Sequence, residues 1–250
     1  MKCSSVMKTV LAGIAVCVLW GNVSADVVAY WPFGIYGLED VSGNGHHLVK
    51  SDSGVSLTNE FARLDGKQTQ FSTAQPLDLS ACANLTVEFW MRTTVVTNFR
   101  ILLEHTVSAN NNPGAFYVAM SDNNGKGNVS GLFKSNSGFN GHITAEGVAT
   151  NGVWHHVALV YDSTKTGADR SVLYFNGQAQ SVVFGGAKDD VPAFLDAYLY
   201  IGSRANSAYQ FIGDLDDIRI SNAALTPQEF LLTRTGENPR LIAYWPFNRD

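Results

Sequence analysis

Leu85-Thr86-Val87-Glu88-Phe89-Trp90-Met91-Arg92 alternates without a break. Successive side chains of an extended chain point to opposite faces, so Leu85, Val87, Phe89 and Met91 share one side and Thr86, Glu88, Trp90 and Arg92 the other. A period of two with one wholly apolar face describes a strand lying over a hydrophobic core. The pattern recurs outward from this stretch: residues 153–161, 171–175, 197–201 and 211–220 read as strands, separated by turn signals such as Asn176-Gly177 and Gly185-Gly186. Only Thr226-Pro227-Gln228-Glu229-Phe230-Leu231-Leu232 reads as a helix. Thr226 would be its N-cap, Pro227 its first residue, and Glu229 would complete a capping box. Many short strands and one short C-terminal helix describe an all-β fold, a two-sheet antiparallel sandwich.

The N-terminus carries Lys2 and Lys8, an apolar run from Val10 to Trp20 and the small residues Val23-Ser24-Ala25. That order is the one a secretory signal peptide requires, and the apolar run is too short to anchor in a bilayer. Residues 1–25 are therefore expected to be removed, and the protein to be secreted, at the cell surface or periplasmic. No later stretch is long and apolar enough to span a membrane. Cleavage takes Cys3 and Cys17 with it and leaves Cys82 alone, so the mature chain forms no internal disulfide. Its stability must come from a large core or a bound ion. The formal charge of −5 becomes −7, with 15 basic against 22 acidic side chains. This balance argues against nucleic acid as a partner and leaves carboxylates for a cation.

The pentapeptide Ala29-Tyr30-Trp31-Pro32-Phe33 returns as Ala243-Tyr244-Trp245-Pro246-Phe247, with Val27-Val28 before the first copy and Leu241-Ile242 before the second. Between the copies lie, in order, Asp40-Val41-Ser42-Gly43-Asn44-Gly45, Leu64-Asp65-Gly66, the stretch 85–92, Trp154-His155-His156-Val157-Ala158, Leu173-Tyr174-Phe175-Asn176-Gly177, Ile201-Gly202-Ser203, Gly213-Asp214-Leu215-Asp216-Asp217-Ile218-Arg219-Ile220 and Ala224-Leu225-Thr226-Pro227. This succession resembles the laminin G-like jelly-roll domains, the concanavalin A-like sandwiches. The resemblance implies a jelly roll over about residues 26–235. It also makes the first pentapeptide the opening strand, and residues 236–250 a linker followed by the first strand of a possible truncated second repeat. It does not select a ligand, because the fold carries lectins, adhesion modules and glycoside hydrolases alike.

Candidate sites follow from individual residues. Asp216 shares the parity of Ile218 and Ile220, so it is expected to point inward, where a carboxylate needs a partner. The loop 40–45 offers hard oxygens and a glycine-rich backbone, which suits Ca²⁺. The resemblance implies a structural calcium between the first-strand loop and the last strand, with Asp40, Asn44 and Asp216 as ligands. The alternative is an Asx turn at Asp40 and Asn44, with Asp216 accepting backbone N–H groups or pairing with an arginine. For hydrolysis, two carboxylates must flank the bond; Asp214 and Asp216 alternate and Glu88 lies beside Trp90, yet no strand carries the run of acids that glycosidases of this fold use. The adjacent pairs His46-His47 and His155-His156 point to opposite faces of a strand and do not chelate one zinc ion. Aromatic rings can stack on pyranose faces, which makes Trp90, Arg204 and Tyr209 the ligand-binding candidates, with Tyr198, Tyr200 and the Asn-rich loops 108–114 and 121–127 nearby. Trp31 and Trp154 are assigned to the core. The expected activity is that of a non-catalytic binding or adhesion module for a glycan or an extracellular protein; the alternatives are a glycoside hydrolase of the same fold and a purely structural spacer.

Overall fold

The strand Leu85–Arg92 forms with the bounds its alternation predicts and sits in the middle of a sheet. The computed structural model describes residues 26–232 apart from 51–54, 68–69, 96–98, 109–111, 122–126, 145–148, 150–151 and 186–189. The expected signal peptide, the segment 236–250 with the second pentapeptide, and parts of the two Asn-rich loops lie outside the described residues. Sheet I runs Gln178–Ala179, Ser171–Phe175, His155–Tyr161, Leu85–Arg92, Ile212–Ser221, Ala62–Asp65, Val55–Leu57. Its opening strand, Val27–Trp31, pairs with the far half of Ile212–Ser221. Sheet II runs Val182–Gly185, Phe139–Ile143, Asn128–Lys134, Phe116–Ser121, Arg100–Thr106, Asp196–Ile201, Phe71–Thr73, Leu48–Lys50, with Leu77–Asp78 also against Asp196–Ile201. All of these pairings are antiparallel, and the architecture is a jelly-roll sandwich.

The inner faces meet in one core that contains Trp31, Phe33, Phe71, Phe89, Phe116, Phe133 and Phe211. Close contact between the sheets needs a missing side chain at Gly131, where a Cβ would stand 2.9 Å from Leu159 Cδ1. The first pentapeptide is core, as its aromatic content requires: Ala29 and Trp31 are buried, and the Trp31 indole donates to His46 O at 2.8 Å. The Tyr30 hydroxyl, on the other face, donates to Asp217 Oδ1 at 2.6 Å. Asp26 and Asn222 close the pairing of first and last strands, with Asp26 N–H on Asn222 Oδ1 at 2.9 Å.

Two expectations are corrected. The strand register against Leu85–Arg92 pairs Asp216 with Trp90 and Arg219 with Glu88, so residues 216–219 contain one residue too many for simple alternation. The extra residue is absorbed at Asp217, whose φ of +47° marks a β-bulge. Parity is therefore lost between Asp216 and Ile218. Asp216 shares the outer face with Trp90 and is nevertheless buried. The second correction concerns Thr226–Leu232, which forms one turn and no helix. Its capping contacts are present: the Glu229 carboxylate accepts the Thr226 N–H and hydroxyl, both at 2.8 Å. The backbone beyond is claimed by sheet I, since Glu88 accepts the Leu231 N–H at 2.8 Å and Trp90 Nε1–H donates to Leu231 O at 2.8 Å. A helix continuing past Phe230 would have to give up both bonds.

His105 lies on the inner face of sheet II, stacked on Phe116 at 5.4 Å, and its Nε2–H donates to Leu77 O at 2.9 Å. Burial pushes its pKa from 6.5 down to about 4. The unfolded chain takes up this proton near pH 6.5 and the folded chain does not. Stability linked to this ring is thus complete above pH 6.5 and falls as the pH drops toward 4, by on the order of 3 kcal/mol. In His105→Gln, which keeps a donor for Leu77, urea denaturation is expected to show a flatter stability profile across that interval.

Candidate functional site

The outer face of sheet I is expected from alternation to be open, but residues 223–232 lie across it. Thr86, Glu88 and Trp90 each hold this strap. The Thr86 hydroxyl donates to Ala223 O at 2.6 Å and accepts the Leu225 N–H at 2.9 Å, while Glu88 and Trp90 take the Leu231 peptide groups. Phe230 packs beneath it with Ala158, Val160 and Leu225. Glu88 is completely buried. Its Oε1 receives Arg219 Nε at 2.7 Å, and its Oε2 receives His156 Nε2–H at 2.9 Å together with the Leu231 N–H. A carboxylate in this position is a structural anchor with no access to a glycosidic bond. Asp214, the other acid weighed for hydrolysis, is clamped between Arg63 and Arg92. Trp90 is shielded by the strap and lies on the opposite sheet from Arg204 and Tyr209, so it does not join them in a site.

Asp40, Asn44 and Asp216, the residues expected to hold calcium, each have hydrogen-bond partners within the protein. Asp40 Oδ1 accepts the N–H groups of Tyr30 and Ser42, and Oδ2 accepts the His46 N–H and the Ser42 hydroxyl, all within 3.0 Å. Burial alone would raise this carboxyl's pKa, but the four donors together hold it below the usual carboxylate value. Its lone pairs are directed at hydrogens. Asn44 turns its amide nitrogen, a donor, onto Val27 O and Val28 O, while Asp216 Oδ1 accepts the Asp217 N–H. Among the described residues no three His, Cys, Asp or Glu side chains group as metal ligands.

Arg204 and Tyr209 do converge, on the outer face of sheet II. The Arg204 guanidinium lies 5.2 Å from the Tyr209 ring centroid, 5.7 Å from Phe99 and 5.8 Å from Tyr117. Its Nε is 3.2 Å from Glu104 Oε1, and Glu104 Oε2 accepts the Ala205 N–H at 3.0 Å. Burial raises the Glu104 carboxyl's pKa, opposed by the Ala205 N–H and the Arg204 charge. The strand register places Tyr200 opposite Glu104 and Glu104 opposite Tyr117, so these three run in a row across the face. Tyr198 lies beside Tyr200 at 6.3 Å between ring centroids.

The loop that closes this cluster folds back on itself through Arg204 N–H on Ala208 O at 2.9 Å and is tied to the neighbouring strand by Ile101 N–H on Tyr209 O at 2.8 Å. Tyr209 there adopts φ +56°, a left-handed conformation that side chains other than glycine rarely occupy. The residue is 47% exposed. Phe99, Tyr117 and Glu104 complete the cluster and were not evident from sequence spacing. The alternation of Phe116-Tyr117-Val118 points Tyr117 outward, but nothing local links it to a loop some ninety residues on. Trp154, assigned to the core, instead packs at the surface against Phe61 and Arg92.

Residues 65–230 match the laminin G-like family profile described as the concanavalin A-like lectin/glucanases superfamily. Among curated proteins none matches. Solved structures share the fold at low identity. The binding domain of Paraclostridial mosquitocidal protein 1 is 19% identical, with a TM-score of 0.62 over 82% of this chain and 50% of that one. The receptor binding domain of botulinum neurotoxin C/D mosaic serotype is 12% identical, with a TM-score of 0.62 over 81% and 49%. That of botulinum neurotoxin D is 14% identical, with a TM-score of 0.61 over 81% and 50%. The chain thus spans about half the length of these structures. Among the described residues no helix is long and apolar enough to cross a membrane.

Two outcomes follow from the contacts on sheet I and in the Asp40 loop. Glu88→Ala leaves the Arg219 and His156 side chains and the Leu231 N–H without their acceptor, so urea denaturation is expected to show a loss of about 3–5 kcal/mol. Melting in excess chelator should give the same Tm as melting in millimolar Ca²⁺, because the Asp40 carboxylate already has its partners.

Proposed function

The chain belongs to the concanavalin A-like lectin/glucanase superfamily, and on that premise we propose that it is a secreted, non-catalytic binding module whose ligand is a glycan, bound on the outer face of sheet II. The observation that carries this reading is Tyr209: an aromatic ring displayed to solvent on a left-handed backbone. Strained non-glycine residues cost about 1–3 kcal/mol and persist where the surroundings over-determine them, commonly at ligand sites. Here Arg204 and Phe99 supply that support. Phe99 meets the Tyr209 ring edge-on at 5.2 Å, and the Arg204 charge lies under it.

Arg204 is almost wholly buried. Its role is to hold the plate of rings, and contact with a sugar falls to Tyr209 and to Tyr198, which is also exposed. An apolar pyranose face packs on such rings, while hydroxyls find polar partners at the loop. Secretion is supported by the order of charges, apolar run and small residues within 1–25. The binding role agrees with the structural neighbours, one a binding domain and another a receptor binding domain. A protein ligand is the second reading, and the same face would serve it.

A glycan array probed with the full chain separates these readings. Binding to a defined neutral glycan is expected, and an array without signal, set against capture of a surface protein, would favour the second reading. Tyr209→Gly removes the ring and suits the backbone conformation, so it should weaken glycan binding at least about tenfold while stability stays within about 1 kcal/mol of the parent.

A further inference from the structure

Outside the strap, the outer face of sheet I opens at one end into a cleft of about 490 Å³. Three adjacent strands bring Arg63, Asp214 and Arg92 into one row, since Asp214 pairs in register with both arginines. Asp214 Oδ1 accepts Arg63 Nε at 2.8 Å, and Oδ2 accepts Arg63 Nη2 at 3.2 Å, Arg92 Nε at 3.0 Å and Arg92 Nη2 at 2.5 Å. One buried carboxylate thus serves two guanidiniums, and a positive charge is left over. Asp65, the other acid lining the cleft, stands 3.9 Å from Lys67. The Nη1 groups of both arginines take no part in the bonds to Asp214. The Arg63 side chain is 54% exposed and that of Arg92 is 29% exposed.

Aromatic rings fix both guanidiniums in place. The Phe61 centroid is 5.2 Å from Arg63 Cζ and 5.1 Å from Arg92 Cζ, and Trp154 is 4.7 Å from Arg92 Cζ. Phe61 and Trp154 meet edge to face at 5.5 Å. A fork held by stacking loses little further freedom when it binds an anion. The wall of the cleft also cannot carry a side chain at Gly213, where a Cβ would lie 2.4 Å from Arg92 O.

We propose that this cleft binds a carboxylate-bearing sugar residue of an acidic glycan, its carboxylate on the Nη1 groups of Arg63 and Arg92 and its ring beside Trp154. Each oxygen of a carboxylate can take a charge-assisted hydrogen bond from the Nη1 of one arginine, and the Trp154 indole beside Arg92 suits a pyranose. The site lies on the other sheet from the Tyr209 cluster and does not rest on it.

Titration calorimetry with the full chain tests this, using trigalacturonate and sialyllactose as carboxylated probes, lactose as a neutral one and a sulfated disaccharide as the other anion. A carboxylated probe should bind the parent and Tyr209→Gly alike, weaken about tenfold in Arg63→Gln, and weaken further with added salt. Arg63→Lys, whose single ammonium cannot both pair with Asp214 and reach the probe, should lose most of the affinity as well, and melting curves check that both Arg63 variants are folded. The proposal is overturned if neither carboxylated probe binds, if the sulfated probe binds as tightly as the carboxylated ones, if Arg63→Gln binds as the parent does, or if Tyr209→Gly abolishes the binding. In the last case the sheet II site accounts for the acidic glycan; loss in Arg63→Gln alone leaves the reading of the Tyr209 face untouched.

Discussion

Glu88 is the contact around which the outer side of sheet I is organised. Its carboxylate gathers a guanidinium from one neighbouring strand, an imidazole from the other and a peptide N–H from the strap. A buried charge is tolerated only when it is so completely partnered, and the partners here come from segments far apart in sequence. Completing this set requires Leu231 to lie over the sheet. That brings Phe230 down on His156 and Tyr174 and shields Thr86 and Trp90 from water. Among the described residues, the Arg92 end of sheet I and the part of sheet II at Tyr198 and Tyr209 stay exposed beyond it. The two candidate binding surfaces are where the strap does not reach.

The sandwich was legible because its strands obey alternation closely. Leu85–Arg92 and Ser171–Phe175 have the expected bounds, and Asn176-Gly177 makes the turn after the second of them with both residues at positive φ. Alternation failed where it must, at Asp217: one residue in a left-handed conformation reverses the sense of every side chain after it, and no local pattern announces that. The Thr226 turn failed for a different reason. Its capping residues behave as a helix start should, yet the sheet offers its next peptide groups better-placed partners. Local preference set the first turn and tertiary contacts ended it.

The candidate sites were legible only in part. Arg204 and Tyr209 stand close enough in sequence for a loop to unite them, and it does. Phe99, Tyr117 and Glu104 join them through sheet register, which sequence spacing does not supply. Asp40 shows the opposite limit. The residue types of a cation loop and of a carboxylate caged by N–H groups are the same, and only the direction of donors and lone pairs separates them. The cluster of Arg63, Asp214, Arg92 and Trp154 was missed because its members lie on four different segments, and a tryptophan in an apolar context reads as core.

The meeting of Asp26 with Asn222 places the start of the sandwich beside the end of its last strand. Antiparallel strands joined at such a point separate one hydrogen-bonded pair at a time when their adjoining ends are drawn apart. Pulling on the C-terminal side first loads the strap, whose bonds at Leu231 precede those at Leu225 and Ala223 along the line of force. Under tension the domain should therefore yield by sequential peeling, strap first and opening strand next, at forces well below those of a module whose terminal strands are loaded in shear. A ligand held on sheet II, away from that route, would stay bound through the early part of such an extension.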